Sequence, residues 1–306
     1  MIKYSVVIPT FNGSERILTP LYSLLRQTIP PEEMEIIIVN DGSTDSTEEV
    51  VREFKKNYPD RNIIYTRKNN KGPASARNVG VKYARGSIIF FTDDDCEPPA
   101  LWMEKMIEIY EKHSDIAGVG GWYTPLLCEL KTSCYQQFFH LLCRFDFGWG
   151  LDFFEGKTGG YSPLPSINGS NISFYAWVFK SIGEFDTRFR RPNLEDLEFS
   201  ERVQSQGASL YYLQLHILHH KKMNYKIFIK ECITRVREFK VYQKVRNKEY
   251  ITLPSVWQRF RRFKLVYSKA ENRNYGFHYK RRILFLALIW FFLLNFFTRI
   301  LSLYSH

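Results

Sequence analysis

The chain has 306 residues, of which 44% are apolar and 25% charged, fractions that exclude a largely disordered protein. That length can bury a large core without disulfide or metal staples. The net charge of +11 suits phosphates, anionic lipid or nucleic acid, but it is unevenly placed: residues 221–282 hold 19 Lys/Arg against 4 Asp/Glu, and the chain before residue 221 is net acidic.

Pro9, Asn12 and Gly13 cut the first apolar run, so no signal peptide is expected. YSVVIP (4–9), EIIIVN (35–40), NIIYT (62–66) and SIIFFT (87–92) read as strands covered on both faces. Helical stretches fall between them at 14–27, 44–57 and 73–85, with Ser43 or Thr44 as a cap of the second. This order predicts an α/β fold, a Rossmann-like, mostly parallel sheet flanked by helices. Ligands of such sheets bind at the carboxyl ends of the strands, here the loops near 9–15, 40–45 and 93–98. Residues 122–166 are aromatic-rich without a clear period. INGSNISF (167–174), a helix near 175–182, a helix over 194–207 stopped by Gly207, a strand over 209–218 and a basic helix over 222–247 follow. Cys96, Cys128, Cys134, Cys143 and Cys232 form no C-x-x-C pair, which fits a reducing compartment without a disulfide framework or zinc site.

FTDDDCEPP places Asp93, Asp94 and Asp95 directly after a strand. In extended backbone Asp93 and Asp95 point one way and Asp94 another, and two carboxylates on one side suit a hard divalent cation that also binds phosphates. VNDGSTDST ends the second strand with Asp41, a carboxylate able to accept from a nucleobase N–H or a ribose hydroxyl; Asp-Gly-Ser is equally a common turn. VIPTFNGSE supplies Pro9, Thr10 and Glu15 for a nucleoside pocket. Arg77, in KGPASARNVG, is either a buried partner of Asp41 or Asp93, or a donor-phosphate ligand. No G-x-G-x-x-G follows a strand, which disfavours NAD.

VVIPTFN, IIVNDGSTD, GPASARNVG, IIFFTDDD, GSNISFYAWVFKSIGEFDTRF and LEDLEFSERVQSQG together resemble the family 2 inverting glycosyltransferases over about residues 3–220. The resemblance implies the GT-A fold, a nucleotide-diphospho-sugar donor with a UDP-sugar favoured, and Mg²⁺ or Mn²⁺. It makes Pro9, Thr10, Glu15, Asp41, Arg77, Asp93 and Asp94 donor-binding residues, and Asp93 and Asp95 the metal-holding pair. Asn168, Gly169, Ser170 and Asn171 resemble the loop under the donor sugar and acceptor, with Glu195 beside them and Asp196 as catalytic base. A histidine in HILHHKK completes the metal shell in several relatives, and His219 matches best, with His220 its rival. The Gln-x-x-Arg-Trp motif of processive synthases is absent, which implies single transfers to a hydroxyl of a glycan or lipid-linked acceptor.

On this reading residues 1–220 form the GT-A domain, with a nucleotide-sugar half over 1–120 and an acceptor half over 121–220. Residues 221–282 form a basic helical segment on an anionic membrane surface, and 283–304 a hydrophobic membrane-anchoring helix. The run 283–298 spans about 24 Å, and extension through Leu303 reaches about 31 Å, against a hydrocarbon core of about 30 Å. Lys280, Arg281 and Arg282 mark a cytoplasmic flank, which puts the catalytic domain in the cytoplasm. A helix docked on the domain or on a second copy is the alternative. Two other functions compete. A sugar nucleotidylyltransferase uses a similar sheet but generally has a basic glycine-rich first loop, and VIPTFNGSE has none. A nucleic-acid-binding protein would leave the acidic triad unexplained, so no nucleic-acid partner is expected.

Overall fold

The structure is a computed structural model that describes residues 1–125, 133–135, 137–138, 141, 156–158, 169–192, 194–246, 257–261, 263–264 and 280–303. It divides into two compact units: Met1–Thr124, Phe154–Ser162 and Ser166–His220 form the first, and Pro125–Phe153, Pro163–Pro165 and Lys221–His306 the second.

In the first unit β1 (Tyr4–Thr10), β2 (Met34–Asn40), β3 (Asn62–Arg67) and β4 (Ile88–Phe91) are parallel, joined through α1 (Leu18–Leu25), α2 (Thr47–Asn57) and α3 (Pro73–Tyr83). Their carboxyl ends therefore share one edge of the sheet. The chain continues through β5 (Cys96–Glu97), α4 (Trp102–Lys112), β6 (Ile116–Pro125), β7 (Gly156–Thr158), β8 (Ile172–Tyr175), α5 (Ala176–Ser181), α6 (Glu195–Ser205) and β9 (Ser209–His219). The strand order is β3-β2-β1-β4-β8-β6-β9-β5, with β7 also on β9. β8 runs antiparallel to β4, β6 to β8, and both β5 and β7 to β9. The expected mostly parallel sheet is thus corrected to a mixed one. Apolar periodicity reports burial of a strand but not its direction, and β8 enters the sheet from the opposite edge.

Both sheet faces are covered. Val7, Ile37, Val39, Phe91, Phe174, Phe179, Phe185 and Phe199 belong to one buried cluster. On the other side Phe90 meets Trp102 edge-on, ring centroids 5.4 Å apart. α3 approaches β1 closely because residue 80 is glycine: a Cβ there would lie 2.2 Å from Val7 Cγ1. That approach sets the depth of Arg77, one turn earlier on the helix.

The second unit contains α7 (Tyr225–Val245) and α8 (Lys280–Leu303). Asn224 caps α7, its Oδ1 accepting from the Ile227 N–H at 3.0 Å. Phe138, Phe228 and Trp290 form a ring cluster with centroid separations of 5.5, 5.8 and 5.3 Å. Among the described residues no helix is long and apolar enough to cross a membrane. Ile283, Leu286, Ala287, Trp290, Phe291 and Leu294 are buried. Phe285 and Phe292 remain exposed on α8. Asn168, most of the 122–166 stretch and much of 247–279 lie outside the described residues.

Candidate active site

The loops after β1, β2 and β4 converge at one sheet edge. Thr10 Oγ1 donates to Asp94 Oδ2 at 2.6 Å, and Arg16 Nε donates to Asp94 Oδ1 at 2.7 Å. Asp94 is buried, and burial raises its carboxyl above the usual range, with Arg16 opposing. It ties the β1 loop to the β4 loop from below. Pro9 is inside β1, whereas Phe11 and Glu15 are exposed on the loop. Asn12, at φ 51°, accepts the Thr44 N–H at 2.8 Å and donates its own N–H to Ser43 Oγ at 2.8 Å. Ser43 and Thr44 therefore lock the β1 loop and do not cap α2. Asp45 does the local work, accepting from Thr47 N–H and Ser14 N–H, each at 3.1 Å. Desolvation alone would raise the Asp45 carboxyl, but the Thr47 hydroxyl, which also donates to it, and these N–H groups bring it down to about 2.

Asp41 is buried at the end of β2. It accepts from the Lys68 ammonium and from the N–H groups of Lys71 at 3.0 Å and Gly72 at 2.7 Å. Gly72 has φ 91°, and a Cβ there would lie 2.3 Å from the Arg190 carbonyl oxygen, so only glycine fits. Arg16 and Lys68 were not marked by any sequence pattern. Their partners lie 78 and 27 residues away, and no local spacing encodes either pairing.

Arg77 occupies the centre. It is 2% exposed, donates from Nη1 to Glu195 Oε1 at 2.7 Å and from Nη2 to Asp93 Oδ1 at 2.9 Å. Burial alone would lower its pKa, but Asp93 and Glu195 raise it, so the guanidinium stays charged. The sequence left Arg77 a choice between Asp41 and Asp93; the structure pairs it with Asp93 and adds Glu195. Glu195, at the start of α6, also accepts the Leu194 N–H at 3.1 Å.

Asp196 is next on α6. Its Oδ2 accepts the Gly169 N–H and its Oδ1 the Leu197 N–H, both at 2.8 Å. Burial, then the neighbouring Glu195 charge, pushes its carboxyl up to about 6, with Gly169 and Arg77 opposing. Ser170 and Asn171 are buried behind it. Asn171 accepts from Trp102 Nε1 and donates to the Leu215 carbonyl, both at 2.8 Å, so its side chain braces α4 and β9.

On the other side of Arg77, Asp95 Oδ1 lies 3.2 Å from His219 Nε2, the two side chains 22% and 13% exposed. His220 instead faces Glu97, at 2.9 Å. The antiparallel register explains the split: His219 sits opposite Cys96 and turns inward with it, while His220 falls beyond the pair. A carboxylate and an imidazole this close, both partly open to solvent, fit a divalent cation that keeps waters and phosphate oxygens as its other ligands. Asp93 flanks them but is held by Arg77.

Residues 5–161 match the family model described as Glycosyl transferase family 2. The chain is 36% identical over 112 residues to the minor teichoic acid biosynthesis protein GgaB of Bacillus subtilis, a match covering 37% of this chain and 12% of GgaB. It is 27% identical over 233 residues to a glucosyl-dolichyl phosphate glucuronosyltransferase of Haloferax volcanii, covering 74% of this chain and 71% of that protein. Among solved structures it resembles the mannosyltransferase PcManGT of Pyrobaculum calidifontis in complex with GDP-Man and Mn²⁺, with TM-score 0.65, 14% identity and coverage of 97% and 86%. S. aureus TarS 1–349 in complex with UDP gives TM-score 0.55 at 18% identity, covering 78% of this chain and 65% of that one. These likenesses agree with the mixed α/β architecture, and the matched half of the chain carries the β1, β2 and β4 loops described above. The chain belongs to glycosyl transferase family 2.

Proposed function

We propose that the protein transfers one sugar at a time, with inversion, from a nucleotide-diphospho-sugar to a hydroxyl of a glycan or lipid-linked acceptor. The observation that carries this reading is the hub at Arg77, which joins Asp93, beside the Asp95–His219 pair, to Glu195, beside Asp196. Donor and acceptor chemistry thus share one rigid, charged network. The UDP bound in the TarS structure and the GDP-Man and Mn²⁺ in PcManGT support a nucleoside diphosphate donor with a divalent ion, and a UDP-sugar is favoured.

Asp41 accepts a nucleobase ring N–H, and the loop from Pro9 to Glu15 encloses the nucleoside, braced by Thr10 and Asp94. Asp95 and His219 would hold Mg²⁺ or Mn²⁺, with Asp93 alongside; the ion supplies charge neutralisation on the leaving diphosphate. Arg77 keeps Asp93 and Glu195 in fixed orientation. Asp196 removes the proton of the acceptor hydroxyl as its oxygen attacks the anomeric carbon. A single displacement inverts that centre. Incubation with a panel of sugar nucleotides, acceptor and Mn²⁺ is expected to release nucleoside diphosphate; pyrophosphate consumption or formation would support the nucleotidylyltransferase alternative instead.

The second unit supports a peripheral site of action on the cytoplasmic membrane face. Arg281, Phe285 and Phe292 are exposed and lie on one stripe of α8, next to the strongly basic segment. Co-sedimentation with vesicles is expected for anionic and not for neutral lipid, and to weaken with salt. Equal recovery with both vesicle types would reject this location.

A further inference from the structure

We propose that the exposed face of α7 is a docking surface for a linear polyanionic glycan, one whose phosphodiester or carboxylate groups repeat along its length. Lys226, Lys230, Arg237 and Lys244 are exposed on this helix, and Lys240 is half-buried among them. At about 100° per residue all five fall within about 80° of the helix circumference, in a single file about 27 Å long. Successive steps along the axis are about 6, 10.5, 4.5 and 6 Å. The two acids of α7, Glu231 and Glu238, lie about 120–140° round from Lys226. Glu231 is paired with Lys221 at 2.8 Å, and Glu238 is buried. Phe228, Cys232 and Tyr242 are buried on the side opposite the file.

A purely solvated helix face is steadied by i,i+4 pairs of opposite charge, and this chain uses them elsewhere. α2, α4 and α6 hold Arg52–Glu48, Lys112–Glu108 and Arg202–Glu198. Among the described residues none of the five α7 cations has an ion-pair partner. They stand instead as like-charge i,i+4 neighbours, Lys226 with Lys230 and Lys240 with Lys244, an arrangement that destabilises a helix. Burial, then the Lys244 charge, lowers the Lys240 ammonium. A chain of negative groups laid along the file relieves that repulsion and releases counterions.

The occupant follows from what the face lacks. Of the apolar side chains of α7 only Tyr225, its first residue, is exposed. A helix embedded in a bilayer surface needs an apolar stripe beneath its lysines, and single-stranded nucleic acid needs a row of aromatic platforms. A polyanionic glycan needs neither, and membership of glycosyl transferase family 2 makes a glycan the polymer to expect. The vesicle contact proposed above uses Phe285 and Phe292 of α8, a different helix. That the docked glycan is the acceptor rests on the proposed sugar-transfer reading; the binding itself does not.

The test titrates the full chain, without nucleotide or metal, into fluorescein-labelled phosphomannan, polygalacturonate and neutral dextran, followed by fluorescence anisotropy. The two anionic glycans are expected to bind, more weakly as salt rises, and dextran not to bind. The tighter of the two identifies the anionic group. Lys230→Gln/Arg237→Gln/Lys244→Gln should weaken that glycan by at least about tenfold, because three contacts to the polyanion are lost. Its melting temperature should be unchanged or higher, since repulsion is relieved. Lys55→Gln/Lys56→Gln/Lys180→Gln removes the same charge from exposed positions of α2 and α5 and should stay within about twofold of the parent. Equal losses in the two variants, or none in the α7 variant, overturn the proposal. So does a lowered melting temperature of the α7 variant, which would make the file part of the fold. An α7 variant that loses anionic vesicles or single-stranded DNA but keeps both glycans assigns the face to a bilayer or a nucleic acid, and the proposal falls. No sugar nucleotide enters this readout, so either result leaves the sugar-transfer reading to its own test.

Discussion

Asp196→Asn is expected to lower turnover by about 10²–10⁴-fold while leaving donor affinity within a few-fold of the parent, because a positioned base acts only in the transition state. Both carboxylate oxygens accept backbone N–H groups, from Gly169 and Leu197, so the side chain is already oriented and each oxygen retains a lone pair for the incoming proton. Asn preserves one of these bonds and cannot take the proton. The same residue predicts the pH profile. Its carboxyl is pushed up to about 6, and the base works ionised, so activity is present above that pH and lost as pH falls through it. An ordinary aspartate would put that limb near 4. Turnover and donor affinity of the variant, with the pH dependence of the parent, check both points. Near-parental turnover in Asp196→Asn would reject the assignment. Glu195→Gln is expected to act differently, because Glu195 is ion-paired to Arg77 and buried; it should perturb both donor affinity and turnover.

Asp95→Asn is expected to abolish the Mn²⁺-dependent part of nucleoside diphosphate binding, a loss of at least about tenfold, or about 1.4 kcal/mol. The carboxylate supplies the negative charge of the Asp95–His219 pair, and a neutral amide is a poor ligand for a hard cation. The measurement is the thermal shift and affinity for UDP with and without Mn²⁺, read against the parent. Its two neighbours should behave differently. Asp93→Asn removes the negative charge that faces the buried Arg77, and Asp94→Asn removes the charge and one of the two oxygens that accept from Arg16 and Thr10, so both should lower the melting temperature as well as activity. Undiminished Mn²⁺-dependent binding in Asp95→Asn would move the metal elsewhere.

Strand and helix positions in the first unit were legible because each apolar run is buried on both faces and each run ends in turn residues. β1, β2 and β3 begin and end within a residue or so of the runs marked at 4–9, 35–40 and 62–66. The acidic triad and Asp41 were legible as strand-end acids because they sit immediately beside such runs, whereas Glu195 and Asp196 open a helix and were singled out by the family resemblance. The tail was legible only as a helix. Its composition suits lipid and a protein core equally; in the fold one face, with Ile283, Trp290 and Phe291, is buried, while Phe285 and Phe292 are exposed.

By itself, then, the sequence determined which segments are strands and helices and which acids lie at strand ends, since both follow from local periodicity and spacing. Tertiary structure decided the rest. Only the fold reveals that β8, β6, β9 and β5 extend the sheet antiparallel, because strand direction depends on where the chain re-enters. Only the fold brings Arg77 between Asp93 and Glu195, separated from them by 16 and 118 residues, and sets Cys96 opposite His219. Charges so far apart in sequence interact through burial and register, and neither quantity is written in any local window of residues.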